Sequence, residues 1–497
     1  MTKTLSKTDY ILFRECPKNV WYKIHKPSIY FDSELSEFEK AIIETGNEVE
    51  LVARQLFPTG VLIEGRDEKA QKLTQDYISK NQSTLFQPVF EKDGFLAALD
   101  ILRFDPASNT FSVYEVKATN DIDDKTHYHD LAFQVNLLKK FGYKIGTTNL
   151  IHLNSEYVRS GELDITKLFQ VEDVTTDIEE ISENVMKEME KTLQYVSAET
   201  EPNGFCCCIY KGRSKHCSTF KHSNPQVPEY GVHDISRIGN SKAKLQEMID
   251  ANIFELEKIP DHIKLSDIQK NQVDAHVLDR VLINKHKIAE EFKGLSFPLN
   301  FLDYETFPCA IPRFDGFTSY QQIPFQYSLY VLDSETAEPK HFEFLYTGSQ
   351  DPSLDFVDSL RKNIVNKGSV IVWSKKFECR INEEIAQRLP SSKAFMDLLN
   401  ARVYDLMDIF GKQHYVHKNF RGKTSIKSVL PVLVPELSYK TLGIQEGGTA
   451  SQRWNELTTG NISDSDKMKI ANDLKEYCKM DTFAMYAIWK HLVDLVS

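Results

Sequence analysis

The chain has 497 residues, 41% hydrophobic and 27% charged, with a formal net charge of −12. At roughly 100–200 residues per domain there is room for two to four domains, each able to bury a core. No apolar run approaches the ~18 residues of a spanning helix, and the acidic balance argues against nucleic-acid binding through bulk charge, leaving only local basic patches for that task.

The opening Met1-Thr2-Lys3 is soon followed by Asp9, Arg14 and Glu15. This does not read as a secretory signal, so a cytoplasmic protein is expected. Ser6 caps a predicted first helix from about 8 to 22, and a longer helix follows over about 35–56, closed by Pro58 and Gly60. Strands are predicted at 61–63, 96–104 and 111–116, the last two joined by the turn Asp105-Pro106-Ala107-Ser108-Asn109. An amphipathic helix over about 127–141 and a strand at 148–152 complete a mixed α/β domain. A charged amphipathic helix over 174–196 leads into a cysteine cluster and then a polar segment containing Pro225, Pro228 and Gly231. The stretch from 235 to about 292 is helical and charge-rich, and reads as a connector. A second α/β unit begins near 297, with strands at 298–302, 326–331, 341–346 and 369–373 and several helices to the C-terminus. The expected division is 1–225, 226–296 and 297–497.

Three residues of the first unit converge on one chemistry. Asp100 lies in the apolar run Phe95-Leu96-Ala97-Ala98-Leu99-Asp100, where an unpaired carboxylate is costly to bury. Glu115 and Lys117 end the next strand, and alternation places them on one face. Two carboxylates can hold Mg²⁺ or Mn²⁺, and a nearby lysine can offset developing charge on a phosphate.

Four of the eight cysteines fall between Cys206 and Cys217. In a reducing compartment such a cluster reads as metal or iron–sulfur ligation.

Asp100 followed by Glu115-Val116-Lys117 resembles the PD-(D/E)XK signature of RecB-like nucleases. Leu12-Phe13-Arg14-Glu15-Cys16-Pro17 is similar to the opening of CRISPR-associated and AddB-type members, which implies a restriction-endonuclease-like mixed sheet. The helix carrying Tyr128, Asp130 and Gln134 resembles one whose glutamine and tyrosine approach DNA. Glu50, or Glu48, stands where relatives carry an early metal ligand. Those relatives bind a [4Fe–4S] cluster through one early and three late cysteines. The resemblance therefore implies Cys16, Cys206, Cys208 and Cys217, with Cys207 spare and zinc, or no metal, as the alternatives.

In the second unit, Phe301-Leu302-Asp303-Tyr304-Glu305 puts two carboxylates on one strand face. Tyr477 and Asp481 share a helix face. With Ser374 and Glu378 after the strand at 369–373, these segments resemble the three motifs of DEDD exonucleases in the tyrosine variant, which have an RNase H-like fold. By that resemblance Asp303, Glu305, Glu378 and Asp481 hold two divalent ions, Tyr477 orients the attacking water, and the polarity is 3′→5′. Serine and glutamate replace the asparagine and aspartate usual in the second motif. The chain as a whole also resembles a prokaryotic family that joins these two modules.

Nucleic acid is the expected partner, DNA before RNA. Lys412, His414, His417, Lys418, Arg421, Lys423 and Lys427, interleaved with Tyr415 and Phe420, suit phosphate contacts and base stacking. Lys211, Arg213, Lys215, His216 and Lys221 form a second basic stretch. The expected function is a metal-dependent nuclease in DNA repair, recombination or defence. The alternatives are an RNA-processing exonuclease and a non-catalytic iron–sulfur nucleic-acid-binding protein. No G-x-x-x-x-G-K-[ST] loop is present, so nothing points to ATP use.

Overall fold

The computed structural model describes residues 4–31 and 37–497 and divides into two compact units, both mixed α/β. The first comprises residues up to Gln226 together with Ala310–Ser319, and the second comprises Val227–Cys309 and Tyr320–Ser497. Among the described residues, no helix is long and apolar enough to cross a membrane.

The first unit contains strands β1 (Leu5–Ser6), β2 (Val61–Leu62), β3 (Thr84–Phe86), β4 (Val89–Lys92), β5 (Phe95–Ala98), β6 (Ile101–Asp105), β7 (Thr110–Lys117), β8 (Ile145–Leu153) and β9 (Phe169–Asp173). They form a three-stranded sheet, β1-β5-β4, and a six-stranded sheet, β2-β3-β6-β7-β8-β9. The run at 96–104, predicted as one strand, is two strands in different sheets. Gln87, at φ 53°, donates its N–H to the Asp100 carbonyl, and the Leu99 N–H goes to Pro88. With those groups taken, the chain turns at Leu99-Asp100 and leaves one sheet for the other. β6 and β7 form the expected antiparallel hairpin, and β7 runs parallel to β8 across the His129–Lys140 helix. That helix and the Thr175–Ser197 helix cover the sheet, burying Phe133, Leu137, Val185 and Met189. Phe133 is fully buried, so Phe133→Ala is expected to cost about 3–5 kcal/mol.

The predicted first helix is two, Lys7–Glu15 and Pro17–His25, because Cys16 is extended and Pro17 starts afresh at the first turn. The second predicted helix is observed over Glu37–Ala53, and its expected start near Leu35 lies outside the described residues. A helix at Glu68–Ser79, capped by Asp67, was not foreseen.

The second unit contains β10 (Leu282–Ile283), β11 (Leu299–Pro308), β12 (Gln322–Leu332), β13 (Lys340–Leu345), β14 (Val370–Val372), β15 (Val403–Asp405) and β16 (Tyr415–Val416). Its main sheet has the order β13-β12-β11-β14-β15. β13 and β11 each run antiparallel to β12 between them, and β14 and β15 run parallel to β11. The 33-residue Asp464–Val496 helix packs on β11 and β12, burying Leu474, Cys478, Ile488 and Leu492. Asp303 and Glu305 lie inside β11 rather than at its end, just before a register shift at Glu305/Thr306. Of residues 226–296, expected as a separate connector, all but Gln226 belong to the second unit. β10 pairs with β16, and Asn271 donates to Gln413 at 2.8 Å.

Candidate metal centres

The first centre forms where β7, the β5–β6 turn and two helices meet. Glu115 is buried and Lys117 follows it on the same face, with Nζ 2.9 Å from Glu115 Oε1. Asp100 accepts the Val116 N–H at 2.8 Å, which fixes its carboxylate against β7. The Gln87 side chain bridges Asp100 Oδ1 at 3.3 Å and Glu50 Oε1 at 2.7 Å. Of the two early acids, Glu50 therefore joins the site, while Glu48 is exposed. Arg54 anchors Glu50 from one helical turn away, at 2.7 Å.

Gln134 is fully buried and donates to Glu115 Oε2 at 2.7 Å. It was expected to approach DNA, but packing of its helix on the sheet points it at the carboxylate instead, where it fixes the orientation of Glu115. Two further groups complete the site, of which Asp130 lies on the helix singled out in the sequence and Lys7 had no sequence signal. Lys7 Nζ lies 2.8 Å from Glu115 Oε1, and Asp130 accepts from Lys117.

Burial pushes Asp100 from its ordinary 3.8 to about 7, with Glu115 adding to the rise and Lys7 opposing it. Burial acts on Glu115 in the same sense, but Lys117 and Lys7 outweigh it and hold that carboxyl below the usual range. Three carboxylates linked through one hydrogen-bond network, two of them buried and one of those destabilised in its charged form, are a donor set suited to a hard divalent ion.

A raised Asp100 has a consequence for stability. The folded value exceeds the unfolded one, so the stabilisation from retaining this proton is complete below about 3.8 and lost as pH rises through about 7. The metal-free protein is thus expected to lose stability across that window. Unfolding midpoints of wild type and Asp100→Asn from pH 4 to 8 check this: the difference between them should change through the window, and a constant difference would contradict it.

The second centre is made of sulfur. The Sγ atoms of Cys16, Cys206, Cys208 and Cys217 all lie within 4.8 Å of one another. Cys16 is placed by the break between two helices, and the others by the short turns after residue 205. Cys207 is exposed and its thiol donates to the Glu15 carbonyl at 3.3 Å, so it is the one left out. Asn224 donates to Cys206 Sγ at 3.2 Å. A hydrogen bond from Cys16 is the largest of the effects that bring Cys206 down to about 6.

The third centre is in the second unit. Ligand atoms of Asp303, Glu305 and Cys478 come within 4.8 Å of one another. Burial, then Asp481, then Glu305 and Glu378, hold Asp303 well above its ordinary value. Asp481 accepts from the Tyr439 hydroxyl, and burial raises its carboxyl also. Burial and then the charge of Asp481 push up the hydroxyl of Tyr477, which was expected to orient a water. Glu378 is buried with Oε2 unpartnered, and burial with Asp405 pushes it up to about 8. Of the four expected carboxylates, two therefore share a tight cluster with Cys478, while Asp481 and Glu378 act on it through the field. Cys478 and Tyr439 went unrecognised in the sequence.

The basic stretch at 412–427 is largely paired. Lys412 meets Glu291 at 2.9 Å and Asp408 at 3.0 Å, Lys418 meets Asp279, and Arg421 meets Glu229 at 3.8 Å. Tyr415 and Phe420 are buried against Phe410, so neither offers a face for base stacking. Lys427 instead sits over the rings of Tyr439 and Tyr477, 5.7 and 5.4 Å from their centroids, on the carboxylate cluster. In the stretch around Cys217, Lys211 Nζ donates to the Glu15 carbonyl at 3.1 Å, and Lys215 and Lys221 are exposed.

Residues 300–425 match the model of a Domain of unknown function (DUF2779). Among relatives, an uncharacterized protein of Mycoplasma pneumoniae is 27% identical over 216 residues, covering 40% of this chain and 32% of the relative. Another from Mycoplasma genitalium is 27% identical over 221 residues, with the same coverage. One from Ureaplasma parvum is 25% identical over 276 residues, covering 49% of this chain and 39% of the relative. The chain thus spans from about a third to two fifths of the length of the curated relatives it matches.

Proposed function

We propose that the chain is a metal-dependent nuclease that hydrolyses phosphodiester bonds, with DNA favoured. It would carry a RecB-like nuclease module in the first unit and a DEDD-type, 3′→5′ exonuclease-like module in the second. The observation that carries this reading is the linkage of Glu50, Asp100, Glu115 and Lys117 through Gln87, the Val116 N–H and a direct ion pair. These residues come from three separate segments, and their chemistry is that of divalent-metal phosphodiester hydrolysis.

Strand order supports both halves. In the first unit, a hairpin presents the acidic residues and is followed by a helix and a parallel strand. In the second, three antiparallel strands flanked by two parallel ones put Asp303 and Glu305 on the central strand, as an RNase H-like sheet would. Fold alone does not imply activity, so the weight rests on the side chains.

Mg²⁺ or Mn²⁺ at the carboxylates would polarise the phosphate and lower the pKa of a bound water. Gln134 and the Val116 N–H hold Glu115 and Asp100 in register for it. Lys117 stands ready to offset charge on the phosphate oxygens. In the second unit, Tyr439 fixes the Asp481 carboxylate, and Tyr477 stands beside it.

The four thiols suit a structural metal centre, for which the resemblance implies [4Fe–4S]. Their spacing favours a second reading, a single zinc ion. Separations within 4.8 Å approach the roughly 3.8 Å edge of a tetrahedron with ~2.3 Å arms. A cubane, with a separate iron under each thiolate, holds its ligands further apart. The thiol cluster also suits a reducing compartment such as the cytoplasm.

The test is incubation of the purified chain with end-labelled DNA and RNA, single- and double-stranded, with Mg²⁺, Mn²⁺ or EDTA. Metal-dependent shortening of DNA is expected. Shortening of RNA alone would favour RNA processing, and intact substrates under every condition would leave a non-catalytic binder.

A further inference from the structure

We propose that Lys7 is a second cation of the N-terminal site, one that a divalent ion displaces from Glu115 and that then holds a phosphodiester oxygen; this rests on the nuclease reading above. Nothing in the E-x-K signature calls for it. Lys7 is 108 residues from Glu115 in the chain, yet its Nζ lies 2.8 Å from Oε1 and 3.9 Å from Asp130 Oδ1.

The fold takes trouble to put it there. β1 adds to β5 in parallel register, Leu5 opposite Phe95. The hairpin turn Asp93-Gly94, with both residues at positive φ, presents the Gly94 carbonyl to the Leu5 N–H at 2.8 Å. Ser6 and Asp9 then close a reciprocal cap on the first helix, which fixes Lys7 as its first residue. Lys23 pairs with Asp9 at 2.6 Å, so that acid does not compete for Lys7. The Lys7 side chain is only 20% exposed, so holding its charge there is unfavourable unless it is partnered.

Charge counting gives it a purpose. Among the described residues, the site holds four carboxylates, from Glu50, Asp100, Glu115 and Asp130, and three cations, from Lys7, Arg54 and Lys117. When all are ionised, one negative charge is left over. One divalent ion converts this to a single positive charge, which the single charge of one phosphodiester balances. Two ammonium groups share Glu115 Oε1, and a cation arriving on that oxygen repels both. Lys117 retains Asp130 as a close partner, whereas Lys7 keeps only the 3.9 Å contact, so Lys7 is the one freed.

The experiment uses the full chain carrying Asp303→Asn, which silences the C-terminal cluster, with Lys7→Met and Lys7→Arg added singly. Mn²⁺ affinity is read by electron paramagnetic resonance. Binding of a short single-stranded DNA in Ca²⁺ is read as a function of salt. Lys7→Met is expected to bind Mn²⁺ about tenfold more tightly, having lost a competing positive charge beside the ligand oxygen. Its DNA affinity should fall, with a salt slope smaller by about one charge. Lys7→Arg should keep the DNA affinity and slope. A merely structural lysine would weaken both kinds of binding together, and that result overturns the proposal, as does an unchanged salt slope in Lys7→Met. Failure of the nuclease reading looks different: the Asp303→Asn parent itself would bind no Mn²⁺, and the proposal would fall with it.

Discussion

Asp100→Ala is expected to lower metal-dependent cleavage by the N-terminal site by about 10³-fold or more, the scale seen when a member of a catalytic unit is removed. The carboxylate bonds to two of the segments that build the site. It takes the Val116 N–H, shares Gln87 with Glu50, and is pushed upward by the charge of Glu115. Removing it leaves Gln87 with one acceptor and the site with one ligand fewer. The fold should survive, because the turn at Leu99-Asp100 is set by backbone pairing with Gln87 and Pro88 rather than by the side chain. Asp303→Ala should spare this activity and abolish 3′→5′ shortening by the second unit. The two variants, assayed on one circular and one 3′-labelled linear DNA, separate the contributions. Equal loss of both activities in either variant would mean that the two clusters do not act as separate sites.

The second large effect lies in the sulfur centre. Cys16→Ser is expected to release the metal and to lower the thermal midpoint of the first unit substantially. Apparent metal-binding energies of about 10 kcal/mol or more at structural thiolate sites become folding energy. Cys16 is fully buried between two helices and reaches across to the loops carrying Cys206, Cys208 and Cys217, so the metal would tie the start of the unit to its end. Cys207→Ser, one residue from two ligands, should change neither metal content nor midpoint, because its thiol turns to the Glu15 carbonyl. Metal analysis of the purified protein distinguishes the cofactors. Iron and sulfide with absorption near 400 nm indicate the cluster, about one zinc per chain indicates the mononuclear site, and neither element in soluble, folded protein contradicts a structural metal.

What the sequence made legible follows from its periodicities. The two-residue alternation of a strand put Glu115 beside Lys117, and the structure keeps that pair at 2.9 Å. The four-residue helical step put Tyr477 beside Asp481. The choice of Cys16, Cys206, Cys208 and Cys217 matches the observed thiol group. Features decided by long-range packing were not legible. The run ending at Asp100 reads as one strand because nothing local marks the point at which the chain changes sheets. Lys7, at the first position of a helix, looks like any solvated lysine until β1 docks on β5. Cys478 passes for a core residue, and only the packing of its helix on β11 brings the sulfur near Asp303. The opposite error befell Tyr415 and Phe420. Their spacing among lysines suggested an open binding strip, whereas burial against Phe410 closed it.

The central claim is that two sets of acids, each scattered in sequence, are divalent-ion sites. Counting the Mn²⁺ ions bound at equilibrium tests it most directly, by electron paramagnetic resonance on the full chain and on the Asp100→Asn, Asp303→Asn and doubly substituted forms. Wild type should bind ions in both units, each single variant should lose those of one unit, and the double variant should bind none tightly. Wild-type protein that is folded yet leaves Mn²⁺ free at millimolar concentration would contradict the claim.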